Sequence, residues 1–375
     1  MNFSPYLLHP EADADMNKTD LLNTLFGLLL FCAALGLLLG LYTGLIRLGM
    51  SSPQAFNLGP LTHGPLMING FLATLIALER GAALEKMWTY IAPFSFAVST
   101  FLLMFGAAQS GGYFLLLGSV TLVGIMIYLC VIQSVSHHYI MAGGAISLLI
   151  GNLFFIVNSP IFMMIGWWIA FPLLTIFGER LELNRIMRPP KKAVQIFTVL
   201  ITLWLLSLAG IHFSRNPSWM FGSIIMIALA AWLIRYDVAR RTIKSVQWTR
   251  YSAWSLLLGY GWIIVGGILG LIYGLPTAGL LYDAVLHIFF VGFVFSMIFA
   301  HASVIIPSLT GRIVPYSNYF YLPLILLHGF LAVRIVGDLL NMHMIRLIGS
   351  YGNVVAILLF LGGIGTQLIR SKNGD

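Results

Sequence analysis

The sequence predicts an all-α, polytopic membrane protein of about twelve transmembrane helices with both termini in the cytoplasm. Three observations lead there. Of 375 residues, 59% are hydrophobic and only 9% charged, against about 25% charged in an ordinary soluble domain, and the mean hydropathy is +0.93. Apolar runs long enough to cross a bilayer as helices recur at 21–47, 60–84, 88–108, 112–134, 139–157, 160–178, 193–213, 216–236, 251–274, 283–309, 319–341 and 345–369. When these spans alternate, only Arg47, Arg215, Arg334 and Arg346 of the 20 Lys and Arg fall on one side. The positive-inside bias makes that the outer side.

In hydrocarbon every backbone polar group must be satisfied within its own segment, so helix is the economical structure for each run. The first is too long for a signal-peptide core and follows the acidic segment EADADMNKTD, so it is expected to be a retained span after a polar tail, 1–20. The remainder, 21–370, reads as one transmembrane domain. Its longest breaks, after the sixth and eighth spans, are basic cytoplasmic connectors. Glycine-rich stretches such as GYGWIIVGGILG suit close helix packing. Cys32 and Cys130 fall inside spans, so no disulfide framework is implied. No nucleic-acid motif is present. The expected location is a bacterial inner membrane, with membrane lipid as the surrounding partner.

The chemistry rests on nine histidines. His9 lies in the tail, His343 in an outer loop, His212 at the outer end of the seventh span, and His137-His138 at the cytoplasmic start of the fifth. Solvated or interfacial imidazoles account for these five. His63, His287, His301 and His328 lie within spans, where ionisable groups are rare and usually functional. The bland alternative for each is a hydrogen bond to a neighbouring carbonyl. His63 and His287 are both about 5 Å inside spans that enter from the outer face, and two imidazoles at one level can take the axial positions of a haem iron. His301 is about 21 Å deeper than His287, level with His328, and Glu79 approaches the same side. That inner layer can hold a second metal such as copper or non-haem iron, although Glu79 also has Arg80 beside it. Arg334, with Asp338 at i+4, and Arg47 are the scarce outer cations available to haem propionates. The alternative for Arg334 is an ion pair with Asp338.

Two motifs resemble heme-copper oxidase subunit I. THGPLM, with His63 and Met67, is similar to the family's second helix, which carries an axial histidine of the low-spin haem. HIFFVGFVFSMIFAHASVIIPSLTG is similar to its tenth helix, with His287 on the low-spin haem histidine and Pro307 to Gly311 on the closing Pro-x-x-Ser/Thr-Gly. The departures are equally specific. Val285 stands where the resemblance requires a high-spin haem histidine, and the sixth and seventh spans lack the copper ligands. A standard terminal oxidase is therefore not expected. DAVLHIFFVGFVFSMIFAHASVIIPSLTGR also resembles the NnrS family, associated with haem, copper and nitric oxide.

The leading expectation is a membrane b-type haem protein used in electron transfer or nitric-oxide handling, with a redox partner or quinol supplying electrons. Covalent haem attachment is excluded by the lack of Cys-x-x-Cys-His. One alternative is a membrane oxidoreductase with a metal site at His301/His328. Another is a proton-coupled transporter.

Overall fold

The computed structural model describes residues 10–50 and 58–373, with side chains from residue 24 onward except 309–310 and 371–373. His9 lies outside this range. Helix is the only regular structure among the described residues, and twelve helices are long and apolar enough to cross a membrane. They are α1 Pro10–Arg47, whose apolar part is Thr24–Arg47, then α2 Pro60–Leu84, α3 Met87–Met104, α4 Ala108–Ile132, α5 Ser136–Ile156 and α6 Ile161–Met187. There follow α7 Lys191–Gly210, α8 Arg215–Tyr236, α9 Gln247–Tyr273, α10 Gly279–Ser308, α11 Asn318–Leu339 and α12 His343–Arg370. The all-α twelve-helix reading of the sequence therefore holds.

Two boundaries move for physical reasons. Helix α6 continues well past the expected end near 178, because Arg180 and Leu181 are packed inside the protein rather than solvated. Helix α10 begins at Gly279, about one turn earlier than expected. The extended Ala278 and the positive φ of Gly279 (81°) turn the chain into the helix there.

The chain forms two compact units, one ending at Gly118 and the other starting at Ser119 within α4. In the first unit, α1 carries Gly36, Gly40 and Gly44 at four-residue spacing, which aligns them on one face. A Cβ on Gly36 would lie 2.5 Å from the Gly70 carbonyl of α2, and one on Gly40 would strike Met67. Bare glycine backbone is what lets α2 approach this closely. Leu29, Cys32, Leu78, Tyr90 and Ala97 close the apolar packing among α1, α2 and α3.

In the second unit, α5 and α6 pack along their length. The buried Trp168 donates its indole N–H to Asn152 Oδ1 at 2.9 Å, and Asn152 Nδ2 donates to Ser119 Oγ at 2.7 Å. The indole occupies the space that a side chain at Gly151 would need. Helices α11 and α12 pair in the same manner, with Gly349 against the Arg334 backbone. Between α7 and α8, His212 Nε2 accepts the Trp167 indole N–H at 3.1 Å and the ring stacks on Phe154 at 4.9 Å.

Two outcomes follow. Gly151→Leu forces Trp168 from its place and costs about 1–3 kcal/mol, read as a lowered thermal midpoint in detergent. Burial holds the His212 imidazole below its ordinary pKa of 6.5, so the unfolded chain binds the proton more readily than the folded one. The stability that His212 contributes is then complete above that ordinary value and declines as pH falls below it. Thermal midpoints of wild type and His212→Gln, compared between pH 8 and pH 5, should converge toward the acid end.

Candidate functional site: two histidine spans and their supports

Both histidine spans leave the α conformation within three residues of their histidine. In α2 a single α turn, His63–Pro65, gives way to a π-helix over Leu66–Ala73. In α10 the α segment ends at His287, and a π-helix runs over Ile288–Phe295. π-Helical turns are rare, are mostly single, and concentrate at functional sites. Eight residues of π-helix after each of two histidines is therefore an unusual coincidence.

The two segments share further features. Each holds one glycine pressed against a neighbour: a Cβ on Gly70 would lie 2.7 Å from Thr100 Oγ1, and one on Gly292 2.6 Å from Trp262 Cγ. Each is followed by a hydroxyl that bonds back to a carbonyl within the wide turn. Thr74 Oγ1 donates to Asn69 O at 3.1 Å and Ser296 Oγ to Gly292 O at 2.6 Å. Carbonyls displaced by the wider turn thus gain donors without water.

Each imidazole is held through Nδ1. His63 Nδ1 meets Gly40 O of α1 at 2.7 Å, with the ring over Gly44, where a Cβ would come within 3.0 Å of Cε1. His287 Nδ1 meets Asp283 O, one turn back, at 2.8 Å. A carbonyl only accepts, so Nδ1 carries the hydrogen and Nε2 the lone pair in both rings. This is the usual orientation device of metal-binding histidines. The earlier start of α10 places His287 about two turns into its helix, deeper than the sequence suggested.

Behind His287 stands a buried ion pair. Asp283 Oδ2 accepts from Arg334 Nε at 2.9 Å and Nη2 at 2.7 Å, and Asp283 Oδ1 lies 3.5 Å from His287 Nδ1. The expected Arg334–Asp338 pair is replaced by this one, because α10 brings Asp283 to the guanidinium fork. Arg334 thus supports His287 through Asp283 and does not present its whole fork to a propionate. Asp338 lies within electrostatic range of Asp283, Arg334 and Arg346, yet neither of its buried carboxylate oxygens finds a hydrogen-bond donor. Arg47 is exposed at the last residue of α1, beyond the Gly44 that underlies His63.

In the inner layer the imidazoles are bonded to protein groups. His301 gives Nδ1–H to Met297 O at 2.6 Å and accepts from Arg180 Nη2 through Nε2 at 2.6 Å. A guanidinium keeps its protons, so no ring lone pair remains for a cation. His328 Nδ1 accepts the Trp262 indole N–H at 2.9 Å; its Nε2 then bears the hydrogen and is a donor, not a ligand. Glu79 sits at the far end of α2, 3.9 Å from Arg80. No group of three or more His, Cys, Asp or Glu able to hold a metal occurs among the described residues. The inner layer expected for copper or non-haem iron thus holds His301 bonded to Arg180, His328 bonded to Trp262 and Glu79 beside Arg80. His137 is also structural, lying 3.8 Å from Glu182 Oε2 and 3.4 Å from Arg185 Nη2.

A family model described as "Domain of unknown function (DUF8744)" matches residues 26–367. The chain belongs to the DUF8744 family. No curated protein and no solved structure matches it. Both π-helical histidine spans of this DUF8744 chain lie within the matched residues.

Sequence reasoning passed over the α1 glycine face, Asp283 and Arg180. The first was legible as Gly36-x-x-x-Gly40-x-x-x-Gly44, and Asp283 as a carboxylate one turn before His287. Arg180 carried no signal, since it was expected in a solvated connector. Buried pairs are costly to break singly, because the remaining charge is stranded. Arg334→Leu should lower stability by about 3–5 kcal/mol, and Arg334→Leu with Asp283→Leu should recover most of it, as measured by thermal unfolding in detergent.

Proposed function

We propose that this DUF8744 protein is an integral b-type haem protein of a bacterial inner membrane, both termini cytoplasmic. His63 and His287 would hold the haem, and its role would be electron transfer or nitric-oxide handling, as in an NnrS-like relative of heme-copper oxidase subunit I. One observation carries the reading. Two imidazoles, each fixed by an Nδ1 bond to a carbonyl and each shortly before an eight-residue π-helix, occur in the two spans whose residues resemble haem-bearing helices. The donor set suits the group, because haem iron takes the Nε2 lone pair of a neutral, oriented imidazole.

Haem bound there supplies one-electron chemistry at a potential set by its ligands, burial and nearby charge. The chain's own residues do the rest. Gly40 O and Asp283 O fix the ring planes, and the ion pair with Arg334 holds Asp283, the hydrogen-bond acceptor of His287, in place. Arg47 is the cation offered to the propionates. Val285, buried and apolar, stands where a high-spin haem ligand is required by the resemblance. A haem held by both imidazoles would supply electron transfer to and from a redox partner or quinol rather than oxygen reduction.

A transporter reading draws on different residues, namely the donor-less Asp338 carboxylate and the Arg180 guanidinium, whose buried Nε is unbonded. Intramembrane charges of this kind mark proton paths. A reduced-minus-oxidised visible spectrum of purified protein separates the two. The haem reading expects a Soret band in wild type that is lost in His63→Ala and in His287→Ala. An unchanged spectrum in either variant rejects that residue as a ligand, and a wild type loaded with haem precursor that shows no Soret band leaves the transporter reading.

A further inference from the structure

Helices α9 and α11 of the second unit begin on the same side of the membrane, since two crossings separate their starts. Between their first turns lies a cleft of about 360 Å³, lined by Gln247, Arg250 and Trp254 from α9 and by Tyr316, Asn318 and Tyr321 from the start of α11. The volume lies within the ~300–1,000 Å³ range of small-molecule sites. The lining contains a guanidinium, two carboxamides, two phenols and an indole, and no carboxylate.

Arg250 makes no ion pair among the described residues. Its charge acts on the Tyr321 phenol. No side chain caps α9, so its first-turn N–H groups lack a side-chain acceptor, and the positive end of the helix dipole adds to the guanidinium. The walls are preformed. Trp248 donates its indole N–H to Val314 O at 2.9 Å and stands edge-on to Tyr316 at 5.8 Å, while Tyr251 packs on Tyr321 at 5.4 Å. Tyr316 OH donates to Asn318 Oδ1 at 2.7 Å, which leaves the Asn318 amide nitrogen as the donor end. Trp254, one turn beyond Arg250 on α9, is partly exposed toward the apolar part of the span. An indole beside a basic group at a span boundary is the pattern of a membrane interface.

We propose that this cleft binds a phosphate group, supplied by the headgroup of an anionic phospholipid. The phosphate oxygens take the Arg250 fork, with Asn318 and Gln247 as further donors, and an acyl chain runs past Trp254. Basic pockets between transmembrane helices recognise anionic headgroups in this way. A neutral headgroup would leave Arg250 without a counter-charge. The site is independent of the haem reading.

Native mass spectrometry of the delipidated full chain in detergent tests it, with phosphatidylglycerol, with a galactosyl diacylglycerol of the same acyl chains, and with inorganic phosphate as competitor. Wild type should retain one phosphatidylglycerol and little galactolipid. Arg250→Gln should weaken retention about tenfold, the loss of one charge-assisted contact. Arg250→Lys, which keeps charge without the fork, should be intermediate, and the exposed Arg241→Gln, outside the cleft, unchanged. Displacement of phosphatidylglycerol by inorganic phosphate assigns the site to free phosphate, and failure to displace assigns it to lipid; both outcomes keep a phosphate site. Equal retention of phosphatidylglycerol by Arg250→Gln, or of galactolipid by wild type, overturns the proposal. Gel filtration checks the fold of each variant, and should Arg250→Gln not fold, the Arg250→Lys, Arg241→Gln and galactolipid arms decide the matter.

Discussion

Hydrocarbon offers no hydrogen-bond partner, and nearly every polar feature of this protein answers to that constraint. The backbone meets it by being helical throughout the described spans. Side chains meet it by bonding to backbone or to one another. His63 takes the Gly40 carbonyl, His287 the Asp283 carbonyl and His301 the Met297 carbonyl, while Asn152 joins Trp168 to Ser119. Among the buried atoms that escape the rule are both carboxylate oxygens of Asp338, the Nε of Arg180 and the Nε2 of His328.

The same bond has different consequences in different histidines. In His63 and His287 the Nδ1 contact orients the ring and assigns the lone pair to Nε2. In His301 the second nitrogen is taken by Arg180, which turns a candidate ligand into the acceptor of a buried cation. In His328 the order is reversed, because Trp262 donates to Nδ1. Four intramembrane histidines that look alike along the chain are therefore held differently. The difference lies in which neighbour meets which nitrogen.

The π-helical segments add a second layer. A wider turn shifts the facing of every residue after it, so positions counted at 3.6 residues per turn lose their register across Ile288–Phe295. Counting had put His301 on nearly the same face as His287. In the structure it meets Arg180, whose own burial was hidden by its place in a basic stretch. The glycines Gly70 and Gly292 belong to this device, since both sit where a widened helix presses on a neighbour and a Cβ would collide.

Twelve spans, most of their boundaries to within a few residues and the all-helical class were determined by the sequence alone, because apolar length and charge depletion suffice to specify a bilayer crossing. The residue types of the candidate site were also legible, as were the Gly36/Gly40/Gly44 face and the His287/Asp283 turn. What only the tertiary structure decided is the partnering. Arg334 pairs with Asp283 and not Asp338, and Arg180 reaches His301 from another helix. Those outcomes depend on helix rotation and close approach, to which hydrophobicity is blind: a span uniformly apolar around its circumference carries no preferred face. Packing at glycines and the pairing of buried charges supply the face that composition does not.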